Sequence, residues 1–81
     1  MSHLTYGRLD EALRGLGFAV RIVEPNNWEY RHAASGALIF LPVVPARKRV
    51  LRRHLVAVRT VLDGFGIAAP ADLTATILSA S

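Results

Sequence analysis

Residues 37–67, ALIFLPVVPARKRVLRRHLVAVRTVLDGFGI, decide the fold that we predict for this chain of 81 residues. The stretch opens with an apolar run that is typical of a buried strand, and Pro42 ends regular pairing there because proline lacks an amide donor. A helical pattern follows, from about Ala46 to Asp63 or Gly64. Its apolar residues recur at the spacing of one helix face, at Leu51, Leu55, Val58, Leu62 and Phe65.

The same helical pattern is densely basic. Between Arg47 and Arg59 the sequence has six arginine or lysine residues and no acidic residue, in a chain whose net charge is +4. The six are Arg47, Lys48, Arg49, Arg52, Arg53 and Arg59. Such a cluster attracts phosphate backbones, acidic proteins or anionic lipids. An ordinary solvated helix face is an equally good interpretation of the pattern alone.

Composition indicates one small domain. Hydrophobic residues make up 52% of the chain and aromatic residues 7%, so aliphatic side chains fill the core. Cysteine is absent, which excludes disulfide bonds and thiolate metal sites and makes a reducing cytoplasm the simplest location. No apolar run is long enough to span a bilayer, and the first residues lack the pattern of a signal peptide. We therefore expect no membrane partner, and no metal or other cofactor.

The residues before position 37 predict one helix and two strands. Thr5 can cap a first helix whose apolar stripe is Tyr6, Leu9, Leu13 and Leu16, and Gly17 can end it in a left-handed conformation. Gly7 is expected to weaken this helix. Phe18–Val23 alternates as a strand, residues 28–32 form a second and residues 37–41 a third, joined by short turns. We predict an α+β fold of order α-β-β-β-α, with a three-stranded antiparallel sheet and both helices on one face.

The last residues change character. We divide the chain into a domain over residues 1–67 and an extension over residues 68–81, where the sequence predicts a short C-terminal helix. That helix either packs on the core as a tail or contacts a second copy or a partner. The sequence leaves these two interpretations open.

Two aromatic residues of the second strand also have two interpretations. Trp28 and Tyr30 either pack beneath the helices or form a surface on which unpaired bases stack. The core side of the sheet is already expected to hold Phe18, Val20, Ile22, Leu38 and Phe40. Arg21 and Arg31 should lie on whichever face the aromatics do not, where they can bind phosphate.

Four short motifs give the chain a resemblance to a known family. They are Leu16-Gly17-Phe18, Tyr30-Arg31-His32, Leu41-Pro42 and the ending Val58-Arg59-Thr60-Val61-Leu62-Asp63-Gly64-Phe65-Gly66-Ile67. Together with the order of elements they resemble the HicA-type toxins of bacterial toxin–antitoxin pairs. Those toxins are small RNA-cleaving proteins with a double-stranded-RNA-binding-like fold. The resemblance covers residues 5–67.

The chain departs from that family at the residue that carries its chemistry. Trp28 stands where the family has its catalytic histidine, and an indole cannot transfer a proton near neutral pH. His32 is a weak substitute, because it lies roughly 13 Å along the strand from position 28. The resemblance therefore implies an RNA-binding toxin-type domain in which ribonuclease activity is in question. Its phosphate contacts would come from the six basic residues and its base contacts from Trp28 and Tyr30.

A second class of function fits the same residues. The domain is alternatively a protein-interaction or dimerisation module that binds an acidic, antitoxin-like partner. Its apolar strand face and residues 68–81 would then form the contact.

Overall fold

The computed structural model describes residues 4–24 and 26–67. Its elements are α1 (Tyr6–Gly15), β1 (Phe18–Val23), β2 (Asn27–His32), β3 (Ala37–Pro42) and α2 (Arg52–Gly64). The predicted α+β fold and the order of its elements are confirmed. The predicted C-terminal helix falls in residues 68–81, outside the described part of the chain.

The three strands form one antiparallel sheet in the order β1-β2-β3. Its register places Val20 opposite Tyr30 and Tyr30 opposite Ile39. Because side chains alternate along each strand, these three residues point to one face. That face packs against Leu9 of α1 and Val58 of α2 in a single core, so both helices cover the same side of the sheet. The other side, which we call the open face, faces solvent.

The burial of β3 corrects one prediction. We expected Leu38 and Phe40 in the core, but they lie on the open face with 39% and 55% of their surfaces exposed. Ala37, Ile39 and Leu41 are buried instead. Every residue from 37 to 41 is apolar, so alternation of polarity cannot show which set points inward.

The ends of α1 lie where the sequence predicts them. The Thr5 hydroxyl accepts a hydrogen bond from the Arg8 amide at 3.3 Å, which caps the helix. Gly17 follows the helix with φ of +99°, in the left-handed region that glycine adopts without strain. The predicted stripe is buried at Tyr6, Leu9 and Leu13 and half-buried at Leu16.

The start of α2 corrects a second prediction. The helix begins at Arg52 rather than Ala46, so three of the predicted basic helix residues precede it. Residues 46–50 instead run alongside the N-terminus of α1. The amide of Tyr6 donates to the carbonyl of Lys48 at 2.9 Å, and the amide of Gly7 donates to the carbonyl of Ala46 at 2.8 Å. These bonds satisfy amides of the first turn of α1 that have no partner within the helix.

Within α2 the predicted stripe is buried at its centre. Leu55, Val58 and Leu62 belong to the core. Leu51 and Phe65, at the N-cap and C-cap positions, lie at the edges of the core with 41% and 49% of their surfaces exposed. Neither of the helices described here combines the length and the apolar character needed to cross a bilayer.

Candidate nucleic-acid interface

Five of the six predicted basic residues lie together on the surface. We call residues 47–53 the basic segment; its five cationic side chains, all exposed, are Arg47, Lys48, Arg49, Arg52 and Arg53. Val50, in the middle of the segment, is buried in the core. Its amide donates to the carbonyl of Leu4 at 2.9 Å, and the backbone of Arg49 forms an isolated antiparallel β-bridge with Thr5. The backbone of the segment is thus held at Arg49 and Val50 against residues 4 and 5.

Three cations of the basic segment have no acidic partner among the described residues. Among residues 4–24 and 26–67, the side chains of Arg47, Lys48 and Arg53 form no ion pair with a carboxylate. Arg59 differs, because its Nε lies 3.6 Å from an oxygen of Asp63 on the next turn of α2. Arg59 also lies outside the basic segment, in the C-terminal half of α2.

A histidine joins the basic segment to α1. The hydroxyl of Tyr6 shares a hydrogen bond of 2.7 Å with Nδ1 of His54 and accepts the amide of Leu51 at 3.3 Å. Burial, and then the positive charge of Arg53, lower the pKa of His54 below its ordinary value. His54 is therefore neutral near pH 7 and leaves Nδ1 able to accept. The interaction fixes the first turn of α2 against the first turn of α1.

Trp28 and Tyr30 lie on the helix-covered face. The ring of Tyr30 is buried in the core, which confirms the core interpretation for this residue. Trp28 is half-buried and packs at the edge of the core, where it lines a cleft of about 160 Å³ with Asp10 and Arg14. The stacking surface that the sequence offered for these two aromatics is therefore not on the open face, and Tyr30 has no exposed ring.

The polar groups of this cleft are fixed by one another. Tyr30 donates its hydroxyl to Asp10 at 2.8 Å, and Nε of Arg14 donates to the other oxygen of Asp10 at 2.9 Å. Burial and the bond to Asp10 raise the pKa of Tyr30, so its hydroxyl stays protonated. None of the described residues that line the cleft is a histidine. The cleft at position 28 lacks the proton-transfer group that the resemblance assigns to that position.

His32 has a clear structural environment at the opposite end of β2. Its Nε2 lies 3.1 Å from the carbonyl of Leu16, which can only accept, so this nitrogen carries the proton. Its Nδ1 shares a hydrogen bond of 2.7 Å with the hydroxyl of Ser35, and the same hydroxyl accepts the Ala37 amide. Both ring nitrogens are thus engaged in joining the end of α1 to the β2–β3 turn. A catalytic role for His32 remains only a prediction.

The open face carries a charged group that the sequence analysis missed. Glu29 is only 4% exposed, although it lies on this face. Its two carboxylate oxygens accept from Nε of Arg21 at 2.8 Å and from a terminal nitrogen of Arg31 at 3.1 Å. The hydrogen bond from Arg21, with further help from Arg31, holds the pKa of Glu29 below its usual range despite burial. Arg21 and Arg31 lie opposite the aromatics, as predicted.

The chain shows no significant similarity to any protein-family model, curated protein or solved structure with which it was compared. Within the described ranges, no three histidine or acidic side chains are close enough to bind a metal ion. Functional interpretation therefore depends on the basic segment, the cleft at Trp28 and the open face.

Proposed function

We propose that this protein binds RNA through the basic segment, as a HicA-like toxin-type domain in which residue 28 does not perform the histidine chemistry of that family. The observation that carries the proposal is the fixed backbone beneath five exposed cations. Backbone hydrogen bonds to Leu4 and Tyr6 hold the segment before any ligand arrives. Less conformational entropy is then lost on binding than for a flexible basic loop.

The N-terminus of α2 adds a second reason to expect an anion. Leu51 at the N-cap makes no side-chain capping bond, and the first turn contains no acidic residue. The first turn also contains Arg53, whose positive charge is unfavourable beside the positive end of the helix dipole. A phosphate group at this position interacts favourably with both Arg53 and the helix end.

The cleft at Trp28 supports the proposal of RNA binding without histidine-dependent cleavage. Trp28 offers a half-buried indole, and the carboxylate of Asp10 is already bonded to Tyr30 and Arg14. Chemistry that needs a general acid or base with a pKa near neutrality has no candidate side chain among the described residues of that cleft. We therefore propose an RNA-binding role and expect no cleavage through residue 28.

The test is the salt dependence of binding to a short single-stranded RNA, measured by fluorescence anisotropy. The dissociation constant should rise with salt, with a logarithmic slope of about 0.7 for each phosphate contact. The double variant Arg47→Ala/Lys48→Ala should weaken binding and reduce the slope by about one to two. Arg8→Ala, which removes an exposed arginine from α1 outside the basic segment and the cleft, is the control and should change the slope little. Absence of RNA binding by the wild-type protein at low salt contradicts the proposal.

A second candidate is an acidic, antitoxin-like protein bound at the same segment. It is favoured by two exposed apolar side chains, Val43 and Leu51, which lie before and within the basic segment. Phosphates make no use of such surface, whereas a protein partner would bury it. Val43→Ser should weaken binding of an acidic partner and leave RNA affinity unchanged. Light scattering on the isolated chain tests the remaining proposal of a homodimer.

A further inference from the structure

The open face combines paired arginines with an exposed aromatic ring. The register places Arg21 opposite Glu29 and Glu29 opposite Phe40, in one row across the sheet. In the next row Arg31 lies opposite Leu38. Arg31 and Phe40 are therefore diagonal neighbours, whose Cα atoms are about 7–8 Å apart in such a sheet.

Glu29 holds the two guanidinium groups without using all their donors. Arginine has five N–H groups, and the bonds to Glu29 use one nitrogen of each. The side chains of Arg21 and Arg31 remain 68% and 58% exposed. With one carboxylate between two guanidinium groups, the three side chains carry a net positive charge. They border a shallow depression of about 270 Å³ with Ala19, whose small side chain leaves room beside Arg31.

Phe40 does not pack in the core, because its side chain lies on the opposite side of the sheet with more than half of its surface exposed. An exposed aromatic ring beside cationic side chains is the combination that single-stranded nucleic acids use on sheet surfaces. The base stacks on the ring and the backbone contacts the cations. Leu38, next to it on β3, extends the apolar surface.

We propose that the open face is a second nucleotide-binding surface, where Arg21 and Arg31 hold a phosphate and Phe40 stacks on a base. The proposal rests on the RNA-binding function proposed above and identifies a single-stranded, unpaired nucleotide as the ligand of this face. Charge complementarity favours a polyanion over a second copy of the chain. If two open faces stacked on each other, the arginine pairs of the two copies would lie close together, and their positive charges would repel.

Crosslinking of the unmodified protein locates the contact. A short RNA containing 5-iodouridine is irradiated with the wild-type chain, and the modified peptide is identified by mass spectrometry. A crosslink at Phe40 is the expected result. RNA binding with crosslinks at other residues and none at Phe40 would overturn this inference and leave the proposed function intact, whereas absence of any RNA binding would remove both.

Two variants give the energetic test. Phe40→Ala should weaken binding of single-stranded RNA at least about fivefold without changing the salt slope, since stacking is not ionic. Arg31→Ala should weaken binding and lower the slope by about 0.7, and Arg21 still bonds Glu29 in that variant. Circular dichroism checks that both variants fold.

The matched controls are Ile22→Ala and Arg8→Ala. Ile22 is an apolar residue 62% exposed on the other face, and Arg8 is an exposed arginine of α1 that lines neither the cleft nor the open face. Neither control should change RNA affinity by more than about twofold. If Phe40→Ala leaves RNA affinity unchanged but dissociates a dimer or releases a protein partner, the open face is a protein interface and the inference is wrong.

Discussion

Gly7 and Ala46 meet where α1 begins. The amide of Gly7 donates to the carbonyl of Ala46 at 2.8 Å, and a Cβ atom placed on Gly7 would lie 3.1 Å from the Cβ of Ala46. Glycine weakens a helix, as expected from the sequence, yet here it permits the close approach of the chain that leads into the basic segment. This contact links the helix start to the position of the cations.

The first prediction compares Gly7→Ala with Gly15→Ala. Alanine in a helix is favoured over glycine by up to about 1 kcal/mol. At Gly15, where a Cβ would meet no atom within 4 Å, this gain should raise the midpoint of thermal unfolding. At Gly7 the added methyl must displace Ala46 by a few tenths of an ångström, so the gain should be lost or reversed.

Gly7→Val sharpens the comparison. The larger, β-branched side chain should displace residues 46–50, lower the unfolding midpoint and weaken RNA binding. A Gly7→Ala variant as stabilised as Gly15→Ala would show that the contact with Ala46 is not constraining.

The second prediction concerns pH and His54. Because the folded protein lowers the pKa of this histidine, the unfolded chain binds the proton more readily than the folded chain does. The free energy of unfolding should therefore be greatest above the ordinary histidine pKa of about 6.5 and fall as the pH drops below it.

His54→Asn tests this assignment, because its amide oxygen can accept from Tyr6 but cannot be protonated in this range. Urea unfolding at pH 7.5 and pH 5.5 should show a smaller loss of stability for this variant than for the wild type. Tyr6→Phe should lower stability at both pH values by about 1–3 kcal/mol, since it leaves the Leu51 amide without its hydroxyl partner. An unchanged pH dependence in His54→Asn would assign the effect to another group.

The third prediction concerns Glu29 on the open face. Its lowered pKa means that the charged form is stabilised in the folded protein, so this contribution is present above the unfolded value near 4.5 and is lost as the pH falls further. Glu29→Gln should be less stable than the wild type at pH 7, and the two should converge towards pH 3. This window lies below that of His54, so unfolding measured across pH separates the two groups.

The sequence was sufficient for the order of elements because its turn and cap signals are local. Thr5 and Gly17 mark the ends of α1, and alternation in Phe18–Val23 places Arg21 on the face away from Val20. The start of α2 was mispredicted because arginine, lysine and alanine are good helix formers. Residues 46–50 are not helical because carbonyl groups in this stretch accept hydrogen bonds from the amides of Tyr6 and Gly7, which have no partner within α1.

Parts of the candidate site were beyond sequence reasoning for a related reason. Phe40 lies on the open face because β3 pairs with β2 in a register set by the intervening turn, where the amide of Gly36 donates to the carbonyl of His32 at 2.8 Å. The sequence of an all-apolar strand does not show which alternate residues point to the core and which point to the open face. The role of Glu29 had a signal, since a carboxylate between two arginines of a hairpin can bond both once the register is known.

The last prediction separates a structural from a catalytic role for His32. Its ring joins the Leu16 carbonyl to the Ser35 hydroxyl and packs 5.0 Å, between centroids, from the ring of Phe18. His32→Ala should therefore lower the free energy of unfolding by about 1–3 kcal/mol through lost hydrogen bonds and packing. Ser35→Ala removes only the hydroxyl side of the connection and should cost less. RNA binding per folded molecule, measured at a temperature where both variants are folded, should match the wild type. The opposite outcome is that the wild-type protein cleaves RNA and His32→Ala keeps full stability but loses this cleavage. His32 would then act as a catalytic residue, and the structural interpretation would be wrong.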